Sequence, residues 1–142
     1  MLFHQINKLK EMNMAATHST AALNAATDAV TALIGASGKL KFRLTGTIGA
    51  PGTAAATLSL SATAFGAASA GTATANAITS DTNATGNASP VATASLETSA
   101  GTLVIHCAVA ASGSDINMSG GLTIGAGDTV SCSSLTYKSI SA

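Results

Sequence analysis

The feature that most constrains the fold is a change of hydrophobic period at residue 39. From Lys39 to Leu44 the chain alternates, with Leu40, Phe42 and Leu44 set against Lys39, Lys41 and Arg43. Successive side chains of a strand point to opposite faces, so this pattern predicts a strand with one buried face and one basic face. The basic face is either solvated or laid against an acidic partner surface. Ahead of this point the period is helical. Ser19 or Thr20 can cap a helix whose inner face is Leu23, Ala26, Val30 and Leu33, and Gly35 supplies its stop.

After residue 44 the period of two persists in short pieces. A loop over 46–53 carries Gly49, Pro51 and Gly52 as turn formers. Strands are then expected at 56–62, 72–79, 91–97, 102–109, 121–124 and 129–137. In the last, Val130 and Cys132 share one parity and Leu135 and Tyr137 the other, which implies a bulge near Ser133 and Ser134. Seven or eight short strands between Gly, Ser, Asn and Asp turns predict a mainly β chain, an antiparallel β-sandwich with jelly-roll topology as one option. The expected organisation is an N-terminal arm over 1–18 and a single domain over 19–142, with one helix at 19–34 and the sandwich at 39–138.

The core that such a body can build is thin. Alanine, serine, threonine and glycine fill 82 of 142 positions, with no tryptophan, three phenylalanines and one tyrosine. Each alanine removes little apolar area from water, at about 25 cal/mol per Å², so an isolated copy is expected to be modestly stable. Burial against copies of itself or a larger scaffold would add what the core lacks.

Charge is sparse and sums to zero, which argues against nucleic-acid binding. Its distribution is uneven: residues 1–43 carry +3 and residues 44–142 carry −3. That polarity suits contacts between the N-terminal part of one subunit and the body of another. Within the arm, Leu2, Ile6, Leu9 and Met12 recur at helical spacing, predicting a short amphipathic helix over 2–13 that is not stable alone. Such a stripe either docks on a partner or folds back on its own domain; on the first reading Leu2, Phe3, Ile6 and Leu9 are candidate partner-binding anchors, with Lys8 and Lys10 orienting them. The basic strand residues Lys39, Lys41 and Arg43 form a second candidate contact.

Catalytic chemistry is not indicated. His4, His18 and His106 fall in three separate elements, and no nucleophile elbow, Cys-x-x-Cys pair or phosphate-binding glycine loop is present. His106 reads as a strand-face histidine satisfied by its neighbours. Asp115, Asn117, Ser119 and Gly120 match the first half of an EF-hand loop, but its twelfth position is Ala126, so turn formation accounts for them better than calcium. No cofactor is expected. Cys107 and Cys132 read as free thiols used as small hydrophobes. No apolar run reaches the ~18 residues of a membrane span, and Asn7, Lys8, Lys10 and Glu11 interrupt any signal-peptide core.

Two stretches carry a resemblance. Residues 64–81, AFGAASAGTATANAITSD, and 101–137, GTLVIHCAVAASGSDINMSGGLTIGAGDTVSCSSLTY, resemble a family of small virion proteins of tailed bacteriophages. The likeness extends over most of 19–142 and leaves out the first 18 residues. Its motifs are structural, so it implies no catalytic residue. It implies a capsid decoration or cement protein, or else a tail, fibre or baseplate component. The implied partners are the phage major capsid protein and copies of itself, without nucleic acid or membrane. The implied location is the outer capsid surface of the virion, after synthesis in the host bacterial cytoplasm, where a disulfide is disfavoured.

Overall fold

The computed structural model describes residues 16–139. The expected 2–13 helix and the anchors Leu2, Phe3, Ile6, Lys8, Leu9 and Lys10 lie outside the described residues. Among the described residues the chain is mainly β with one helix. Helix α1 (Thr20–Ile34) starts on Ser19, whose hydroxyl accepts from the Ala22 amide, and stops at Gly35 with φ of 69°.

The buried face of α1 differs from the expected one. It consists of Leu23, Thr27, Thr31 and Ile34, while Leu33 is 65% exposed. Two threonines sit inside because their hydroxyls are satisfied there. Thr27 donates to the Gly71 carbonyl at 2.7 Å and Thr31 to the Asp28 carbonyl at 3.2 Å. Asn24 and Asp28 accept from the amides of Gly71 and Ala68, both at 2.7 Å, so one side of the helix grips a single turn. That turn needs holding, since Ala70 and Gly71 both have positive φ.

Eight strands follow: β1 (Lys39–Arg43), β2 (Ala54–Leu60), β3 (Ala73–Thr74), β4 (Ile78–Thr79), β5 (Thr93–Glu97), β6 (Leu103–Ala110), β7 (Ile116–Asn117) and β8 (Thr136–Tyr137). Six form a curled sheet in the order β4-β2-β1-β5-β6-β7, and β3 pairs with β8 in a small second sheet. The β6–β7 pair is parallel, so the main sheet is mixed, which departs from the all-antiparallel pairing read from the sequence. Four strands are only two residues long. The expected strand at 72–79 splits between the two sheets, 121–124 is not a strand, and 129–137 reduces to a Val130 bridge to Asp81 plus β8. The expected bulge near Ser133 is therefore replaced by coil. A bulge does occur where Phe42 pairs with Ala56 and Arg43 with Ala54.

The core lies on one face of the sheet. Leu40, Phe42, Leu58, Leu60, Ala94 and Leu96 supply it from β1, β2 and β5, meeting Phe65, Val91, Ile124 and Val130 from segments outside the sheet. Those covering segments are held backbone to backbone: Asn87 donates to Ile124, Val91 to Leu122, and Ala84 to Asp128. Gly86 permits one such approach. Its φ is 68°, and a Cβ there would overlap the Gly125–Ala126 peptide.

Candidate functional site

The expected basic ladder is not an open surface. On β1, Lys39 stands opposite Glu97 of β5, Lys41 opposite Ser95 and Arg43 opposite Thr93. Glu97 is 1% exposed and collects two of the three cations. Its Oε2 lies 2.8 Å from Lys41 Nζ, and its Oε1 accepts from the Arg43 guanidinium and from Ser95 at 2.8 Å. Arg43 also donates from Nε to Ser95 at 2.8 Å and from its other end to the Gly52 carbonyl. Arg43 thus ties the 44–53 loop to β5, and its burial fits neither a solvated nor a partner-facing ladder. Lys39 turns the other way and donates to Ser59 of β2 at 2.8 Å.

Burial raises the pKa of Glu97, but the Lys41 ammonium beside it and hydrogen bonds from Arg43 and Ser95 outweigh it and hold the carboxyl below its ordinary value. A desolvated carboxylate held by two cations is a structural anchor rather than a reactive acid. Beside it, His106 faces the same side as Ser95. Its Nε2 and the Thr93 hydroxyl are buried without partners among the described residues, so His106 is not satisfied locally as the sequence suggested.

The other Asp carboxylates of the described residues are also occupied with backbone. Asp28 accepts from Ala68, Asp81 from Thr57 and Asn83, Asp115 from Ala108 at 2.9 Å, and Asp128 from Gly125 at 2.7 Å. Each of these short acids accepts from a backbone amide, in a loop for Asp28 and Asp128 and on a strand for Asp81 and Asp115. Asn117 behaves the same way, accepting from Ser114 at 3.1 Å, so the calcium-like residues Asp115 and Asn117 serve as turn braces. No group of three or more potential metal ligands occurs among the described residues.

Two recesses flank the β6–β7 edge. The larger, of about 600 Å³, is walled by 115–121, 123–124 and 128–136 and floored by Phe42. The smaller, about 340 Å³, runs beside His106, Cys107 and Tyr137. Cys107 donates to the Ala94 carbonyl and Cys132 to the Ser134 carbonyl, and both thiols are free. Burial, reinforced by the nearby Asp115 charge, pushes the Cys107 thiol up to about 11, and burial raises Cys132 as well. Neither is primed as a nucleophile.

Among the described residues the exposed large hydrophobes are Leu33 and Ile48, at 65% and 63%. Leu33 precedes the start of β1 and Ile48 follows its end, so they lie toward opposite ends of a strand that spans about 15 Å. The sequence reading missed both: Leu33 was expected inside, and Ile48 was hidden among loop residues. No described helix is long and apolar enough to cross a membrane. No family model, curated protein or solved structure matches this chain.

Proposed function

We propose that this chain is a structural virion protein, a capsid decoration or cement protein that binds the outside of a tailed-phage shell and bridges neighbouring major capsid proteins. The observation that carries this reading is the placement of Leu33 and Ile48 toward opposite ends of β1. A bridging part needs apolar contacts at two separated ends, each worth about 1.5 to 3 kcal/mol if fully covered, before ordering costs. The rest of the body suits that task, because its carboxylates brace loops and its charged cluster locks the sheet centre. A rigid body with sparse surface charge docks with little ordering cost. The proposal includes a sandwich-like second layer, supported by Phe65, Ile124 and Val130 facing the sheet from outside it. The family resemblance of 64–81 and 101–137 supplies the phage setting.

Quantitative mass spectrometry of purified particles from a phage encoding this chain tests the reading. Hundreds of copies per particle are expected. A dozen or fewer would move the protein to the tail, fibre or baseplate, and absence from particles would overturn a virion role altogether.

A further inference from the structure

The 600 Å³ recess is biased in charge. Asp115 and Asp128 both line it and both are exposed, while no lysine or arginine does. Between them lie partly or fully buried apolar groups, among them Ile116, Met118, Ile124 and Leu135. The volume falls within the about 300 to 1,000 Å³ usual for a binding cleft. Exposed acids beside a lining that mixes serines and threonines with apolar groups suit an amphipathic segment carrying basic residues.

The chain contains one such segment. Among residues 1–15, Leu2, Ile6 and Leu9 sit at i, i+4 and i+7, with Lys8 and Lys10 beside them and Glu11 the lone acid. We infer that residues 2–12 of one copy dock in this recess of a second copy, apolar side chains on the floor and Lys8 and Lys10 toward Asp115 and Asp128. Reach permits it. With residues 2–12 docked, residues 13–15 remain to join them to the described body and extend up to about 10 Å, so the second copy lies against the start of the first copy's α1. The contact brings the +1 arm of one chain to two exposed acids of the next, and a head-to-tail link of that kind continues from copy to copy.

The inference deepens the proposed assembly role by naming its partner. It is read in solution without particles, so its failure leaves the copy-number test standing. Full-length chain grown in ¹⁴N and ¹⁵N media is mixed one to one and treated with a water-soluble carbodiimide, which joins a lysine amine to a nearby carboxylate. Mixed-isotope peptides linking Lys8 or Lys10 to Asp115 or Asp128 are expected. In parallel, sedimentation should show concentration-dependent association that weakens about tenfold in Lys8→Gln/Lys10→Gln and similarly in Asp115→Asn/Asp128→Asn, whose amides keep an acceptor for the Ala108 and Gly125 N–H groups. Combining the two pairs should add little beyond either alone. Links confined to single-isotope peptides would mean that each arm fills its own recess and would overturn the inference. So would a chain that stays monomeric with no such links, the result expected if a different protein occupies the recess.

Discussion

Arg43 and Glu97 sit four residues apart in cross-strand register on the two central strands, yet their side chains meet inside the protein with Lys41 on the other carboxylate oxygen. Removing one partner of such a cluster leaves the others desolvated without compensation. Glu97→Gln should therefore destabilise the chain by about 3 to 5 kcal/mol. Replacing the pair together, as Arg43→Met with Glu97→Leu, should cost less than Glu97→Gln alone. Urea unfolding of the three variants measures this, and a Glu97→Gln loss below about 1 kcal/mol would show that the cluster does not hold the sheet.

Acid should act through the same carboxylate. The folded pKa of Glu97 is lowered from its ordinary 4.5, so between the two values the unfolded chain binds more protons than the folded one. Its stabilising contribution is complete above the unfolded pKa and is lost as pH falls through the folded one. Melting temperatures from pH 7 down to pH 3 should fall more steeply for the natural chain than for Glu97→Gln. Parallel curves would place the acid sensitivity elsewhere.

Thr27 supplies a sharper test of helix docking than any leucine. Thr27→Val keeps the shape but leaves the Gly71 carbonyl without its buried donor, at a cost of about 1 to 3 kcal/mol. Thr31→Val removes a bond made only to the helix itself and should cost less. Amide exchange at Ala68 and Gly71 should accelerate in the first variant and not in the second.

The thiols should be slow in the folded chain. Raising Cys107 from 9.0 to about 11 cuts its thiolate fraction near pH 8 by about a hundredfold, before any steric protection. Iodoacetamide should modify Cys107 at least that much more slowly in native than in urea-unfolded protein. Equal rates would mean that β6 opens readily.

Deleting residues 1–14 should leave the melting temperature nearly unchanged at concentrations where the chain is monomeric, while abolishing association between copies and weakening rebinding to stripped particles. A truncated chain that cannot fold would assign the arm to the domain itself. One that rebinds with full affinity would show that the arm is not the anchor.

The sequence by itself determined the elements whose signal is local. Ser19 and Gly35 bound the helix because capping depends on a few neighbouring backbone groups, and Leu40 and Phe42 mark β1 because strand alternation needs no distant partner. The fates of the charges and of the short strands were decided only by tertiary structure. Lys41 and Arg43 look like a solvent face until β5 brings Glu97 alongside, since a lysine or arginine is buried only when an acid far away in sequence meets it. Thr27 looks polar until the 68–71 turn offers its carbonyl. Segments such as 121–124 and 129–135 have strand composition but pair by single bridges and isolated hydrogen bonds, because strand identity requires a partner at matching register, and register belongs to the sheet, not to the segment. The recess between Asp115 and Asp128 was illegible for the same reason: thirteen positions apart in sequence, they face one space only because the loops that carry them fold over Phe42.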